Sequence, residues 1–146
     1  NLTSRKAIIE HVVSMNPTTP IMVGVGGNLL EEQLEWVSYL EKLNVNAYLL
    51  VTPHYAKPGP IGQYNWFKTI MDAVTRPVML YNVPGRTAVP MSTVAVARLK
   101  DHKNFWAIKE ASGSVEKMKE YLLLRWMISR RRFRGLESPP KVNLSH

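Results

Sequence analysis

A chain of 146 residues, 45% hydrophobic and 21% charged, is long enough to bury about 70% of the surface its unfolded form would expose, and this composition excludes disorder for most of its length. Zero cysteine excludes disulfides and thiolate metal sites, and the four histidines (His11, His54, His102, His146) lack ligand spacing, so no metal is expected. The net charge of +8 gathers at the end, where Arg125, Arg130, Arg131, Arg132, Arg134 and Lys141 face the single acid Glu137; the first 124 residues carry only +3, and the aromatic platforms of a nucleic-acid module are missing.

The first residue is Asn1 rather than Met, so the sequence is expected to begin inside something longer or after processing. No apolar run approaches the roughly 20 residues that span a bilayer, and no charged-then-apolar leader opens the chain. A cytosolic protein is expected, with neither a membrane nor a nucleic acid as partner. In chain order, Thr3 is a candidate N-cap for an opening helix with Ile8, Ile9, Val12 and Val13 inward. Residues 21–25 form the first apolar, β-rich run. Leu34, Val37, Leu40 and Leu43 then repeat at helical spacing, and residues 47–51 form a second strand candidate. Phe67, Ile70, Met71 and Val74 mark the next helix, and residues 78–81 the third strand. Pro90 and Ser92 begin a short helix through Leu99, residues 105–108 form a fourth strand, and Ser112 or Ser114 caps a last helix with Val115, Met118 and Leu122. Strands that read as unbroken apolar runs, separated by helices, predict a parallel sheet. Right-handed crossovers then leave an open doubly wound sheet or a closed eight-stranded barrel.

Both architectures put function at the carboxyl ends of strands, so the loops there carry the information. Gly24-Val25-Gly26-Gly27-Asn28 invites a dinucleotide reading, but Leu29 stands where the third glycine is required; a tight turn into a helix capped by Asn28 fits better. Thr52 to Pro60 is a long proline-stiffened loop of Ω type that holds His54 and Tyr55. In Tyr81-Asn82-Val83-Pro84-Gly85-Arg86 a Pro-Gly turn would aim Arg86 back over the strand end. Lys109 follows Trp106, Ala107 and Ile108, so a barrel closed above it would largely desolvate its amine. A phenol, a guanidinium and an amine at apolar strand ends suit carbonyl chemistry through a Schiff base.

These residues resemble the dihydrodipicolinate synthase family, through Tyr81-Asn82-Val83-Pro84-Gly85-Arg86-Thr87, Ile108-Lys109-Glu110-Ala111-Ser112-Gly113 and Val51-Thr52-Pro53-His54-Tyr55. The resemblance covers residues 1–121 without gaps. It implies an α/β fold, a partial (β/α)8 barrel (TIM barrel) made of about four central βα units. The implied activity is condensation of pyruvate with L-aspartate 4-semialdehyde in lysine biosynthesis, by a homo-oligomer, usually a tetramer. No cofactor is implied beyond the covalent Schiff base itself. Carried over by position, Lys109 corresponds to the Schiff-base lysine, Tyr81 to the proton-shuttling phenol, Arg86 to the guanidinium that holds the semialdehyde carboxylate, and Tyr55 to the tyrosine that crosses a dimer interface. Tyr-Asn-x-Pro with a later lysine also occurs in N-acetylneuraminate lyase and sugar-acid aldolases. Arg86 and the Glu-Ala-Ser-Gly after Lys109 favour the dipicolinate enzyme. A non-catalytic fragment that binds partner subunits is the other alternative.

Against the family pattern, the first two and last two strands are absent, and with them a threonine pair of the proton relay. A half barrel would expose two unpaired strand edges and is expected to be incomplete, inactive as it stands, and poorly soluble or oligomeric. Val25 replaces a common threonine. Asn28 and Glu32 match positions that bind feedback lysine, with His54 in place of an aromatic contact. Residues 122–146 no longer resemble the family and form a divergent basic tail, either disordered or the product of a reading-frame slip. Read from the third base of the Trp codon, the DNA of Trp126-Met127-Ile128 would give Asp-Asp, a pair the family carries just after its seventh strand.

Overall fold

The structure, a computed structural model, describes residues 2–126; the rest of the basic tail, with both readings of it, lies outside the described residues. Helices and strands alternate as the periodicity predicts: α1 (Leu2–Ser14), β1 (Met22–Val25), α2 (Leu30–Leu40), β2 (Ala47–Val51), α3 (Pro60–Asp72), β3 (Val78–Asn82), α4 (Pro84–Thr87), α5 (Thr93–Leu99), β4 (Phe105–Glu110) and α6 (Val115–Trp126). All strand pairs are parallel and the spatial order is β1-β2-β3-β4, so each strand lies beside its successor. An open doubly wound sheet would instead reverse order at a switch point.

The two faces of this sheet differ. Val25, Leu50 and Leu80 pair in one row, are at most 1% exposed, and pack in a core with Trp36, Val37 and Leu40 of α2 and Phe67, Ile70 and Met71 of α3. The adjacent row of Gly24, Leu49, Met79 and Ala107 points the other way and is exposed or half-buried. Helices therefore cover one face, and the second apolar face has no layer upon it among the described residues.

Several local expectations need correction. Thr3 lies inside α1, which begins at Leu2, and Ile8 is 65% exposed while Ile9 faces the core. The residue at the N-cap of α2 is Leu29, with no side-chain bond, because the side chain of Asn28 is spent on the neighbouring loop. Leu43 and Val74 lie past the ends of their helices yet join the core. Val115 and Leu122 of α6 are 53% and 45% exposed, although α5 and β4 flank that helix; Tyr121 is its buried anchor, its hydroxyl donating to the Met91 carbonyl at 2.6 Å. The serine caps hold: Ser92 Oγ accepts from the Ala95 amide and Ser114 Oγ from the Lys117 amide.

The amino-terminal end of the sheet is pinned by one carboxylate. Glu41, just past α2, accepts from the Tyr48 hydroxyl (2.5 Å), the Thr75 hydroxyl (2.6 Å), the Thr75 amide (3.2 Å) and the Arg76 guanidinium (3.1 Å). Burial pushes its pKa up, but these hydrogen bonds and the Arg76 charge outweigh burial and leave it below the usual value.

Candidate active site

The carboxyl ends of β3 and β4 bring Tyr81 and Lys109 side by side. The two residues are register partners, and the Lys109 amine stands 4.5 Å from the centroid of the Tyr81 ring, within cation–π range. A bulge makes this pairing. Val78 pairs with Phe105 but Met79 with Ala107, so Trp106 is the extra residue on β4. Had the first register continued, Tyr81 would face Ile108, and Lys109 would point toward the helices. Lys109 is exposed rather than desolvated, because nothing among the described residues closes above the open face.

Behind this pair, on the helix-facing side, lies a polar knot to which the sequence reading assigns no role. The Asn82 side chain, 1% exposed, donates to Glu110 Oε2 at 2.7 Å and accepts from the Met91 amide at 2.8 Å, while its backbone carbonyl accepts from the Ala111 amide at 2.9 Å. Glu110 Oε1 accepts from the Ser112 amide at 2.6 Å. Burial pushes the Glu110 pKa up, but the hydrogen bonds from Asn82 and Ser112, with the nearby Lys117 charge, bring it below the usual range. A cue was legible: polar residues directly after Tyr81 and Lys109 occupy the alternate face, where an apolar side chain would be ordinary.

Arg86 sits exposed on α4. The Pro84-Gly85 step is a helical turn with Pro at its start, and the chain reverses at Ala88, which takes the left-handed conformation (φ 53°). Thr87 holds this loop from within, its buried hydroxyl donating to the Val89 carbonyl at 2.9 Å. Tyr55 is 85% exposed on the loop after β2. Its backbone amide donates to Asn28 Oδ1 at 3.1 Å, and Asn28 Nδ2 lies 3.5 Å from His54 Nε2, so two of the three candidate regulatory residues meet. Glu32 stands exposed in the first turn of α2, where its charge acts on Arg5 of α1. The glycines after β1 serve close packing: a Cβ on Gly26 would collide with Val51 Cγ1. Among the described residues, no three of His, Asp and Glu gather to hold a metal ion.

The model of the dihydrodipicolinate synthetase family matches residues 1–125. The chain belongs to the dihydrodipicolinate synthetase family. It is 47% identical over 114 residues to a 4-hydroxy-tetrahydrodipicolinate synthase of Francisella philomiragia, covering 78% of this chain and 39% of that one. Among solved structures, a dihydrodipicolinate synthase of Bacillus anthracis superposes with a TM-score of 0.80 at 37% identity, covering 85% of this chain and 43% of that one. A chloride-inhibited dihydrodipicolinate synthase of Acinetobacter baumannii complexed with pyruvate gives 0.78 at 35% identity, covering 86% and 44%. The chain thus spans about two fifths of the length of the relatives it matches, and its fold is part of the family's (β/α)8 barrel. The family match runs four residues past Tyr121, and the helical path of α6 runs five, to Trp126.

Proposed function

We propose that this chain carries the Schiff-base part of a 4-hydroxy-tetrahydrodipicolinate synthase, a lyase that condenses pyruvate with L-aspartate 4-semialdehyde. The observation that carries this reading is the Lys109 amine over the Tyr81 ring at two neighbouring strand ends. Lys109 Nζ, once neutral, adds to the pyruvate ketone; loss of water leaves an imine, and loss of a methyl proton gives the enamine that attacks the aldehyde carbon. Tyr81 is the phenol that hands a proton to the leaving hydroxyl of the carbinolamine and takes one back. Arg86, exposed on the loop between them, receives the semialdehyde carboxylate. No cofactor enters this chemistry.

The 85% exposure of Tyr55 supports the reading that it serves a neighbouring copy in a homo-oligomer. The Asn28 and His54 side chains, with Glu32 on the following helix, support a lysine-responsive corner. The reading places the chain in the cytoplasm; no helix among the described residues is long and apolar enough to cross a membrane.

Carbon-13 NMR of pyruvate labelled at its ketone carbon tests the reading. An imine resonance should form with the chain and vanish with Lys109→Ala, and adding the semialdehyde should consume it. An imine that persists in Lys109→Ala, or that reacts only with sugar aldehydes, would contradict it.

A further inference from the structure

The Asn82 amide is used from both ends, and its two partners fix which end faces which. The Met91 amide can only donate, so Oδ1 faces it; Nδ2 must then face Glu110, whose two carboxylate oxygens are taken by Asn82 and by the Ser112 amide. An aspartate or an aliphatic side chain would break at least one of these bonds in a nearly sealed place. The three segments joined here are those that carry the proposed chemistry: β3 ends with Tyr81 next to Asn82, β4 with Lys109 next to Glu110, and Met91 closes the loop that holds Arg86.

We propose that Asn82 is a positioning residue: its amide, clamped between Glu110 and the Met91 backbone, fixes the Lys109 strand end and the Arg86 loop to the strand that carries Tyr81. The inference rests on the Schiff-base reading above and adds to it the part that sets the geometry. The clamp lies on the opposite face of the sheet from the amine, so Asn82 acts through backbone placement and touches no substrate.

The test is a donor–acceptor exchange. Asn82→Asp sets two carboxylates against each other, whereas Asn82→Asp combined with Glu110→Gln reverses the pair. In that double variant the carboxylate introduced on β3 accepts both from the amide introduced on β4 and from the Met91 backbone, while the oxygen of the introduced amide accepts from Ser112. Two readouts are followed, borohydride trapping of pyruvate at Lys109 and hydrogen exchange of the Met91 and Ser112 amides, with the Val78 amide at the far end of β3 as reference. Asn82→Asp should slow trapping about tenfold or more and speed exchange at Met91 or Ser112 while Val78 keeps its protection. The double variant should recover both to within about threefold. A single variant that traps and exchanges as the parent does, or a folded double variant no better than the single, would overturn the clamp. Should the parent chain trap no pyruvate, the Schiff-base reading fails by itself, and the exchange pattern alone then decides for or against the clamp.

Discussion

At the scale of single residues, the geometry rests on side chains whose size or handedness is dictated by one neighbour. Gly26 is the clearest case, since any Cβ there collides with the stiff, β-branched Val51. Gly26→Ala is expected to destabilise the fold by about 1–3 kcal/mol, read as a lower midpoint in urea unfolding; an unchanged midpoint would contradict the close approach. The glycines were legible as a turn and as a failed dinucleotide fingerprint, but their partner Val51 was not, because a contact between successive strand ends has no local signature. Lys109 and Tyr81 were legible as a pair through their motifs. The bulge at Trp106 that sets them in register was not, since an extra residue in a strand leaves the apolar run unbroken. The desolvated lysine expected from a closed barrel became an exposed one, for want of a covering layer among the described residues.

At the scale of elements, the Glu41 pin makes a prediction about acid. Its pKa in the folded chain lies below the usual carboxylate value, so its contribution to stability is complete above the unfolded value near 4.3 and is lost as pH falls through the folded one. Thermal midpoints should therefore drop between about pH 5 and pH 3, and Glu41→Gln should flatten that part of the curve; equal slopes in parent and variant would argue against the pin. Removing the carboxylate altogether, as in Glu41→Ala, leaves the Tyr48 hydroxyl without its acceptor and Arg76 without its counter-charge, and should cost about 1–3 kcal/mol in urea unfolding at neutral pH. Strand and helix positions were readable from apolar runs and 3.6-residue spacing. Helix ends were readable where serine caps them, and unreadable at α2, where Asn28 serves a tertiary contact in preference to the helix beside it.

At the scale of the whole molecule, the sheet of four parallel strands has, among the described residues, one sealed face and one open face. Leu50 and Leu49 are neighbours in sequence on opposite faces of β2, the first fully buried and the second half-buried. Leu50→Ala should cost about 2–5 kcal/mol, and Leu49→Ala markedly less, because truncation at an open face leaves no cavity. Equal losses in denaturant titrations would mean that a further layer covers the open face in solution. The βα repeat was legible from alternating patterns, and the closed-barrel choice from motifs, whereas which face lies bare depends on register and could be seen only in the folded chain.

The central claim is that Lys109 is the amine that captures pyruvate. Borohydride reduction in the presence of pyruvate, followed by peptide mapping by mass spectrometry, measures it most directly, with Lys109→Ala treated alongside. A reduced pyruvyl adduct is expected, concentrated on the Lys109 peptide and absent from the variant. An adduct spread evenly over the surface lysines, or none from a folded sample, would contradict it.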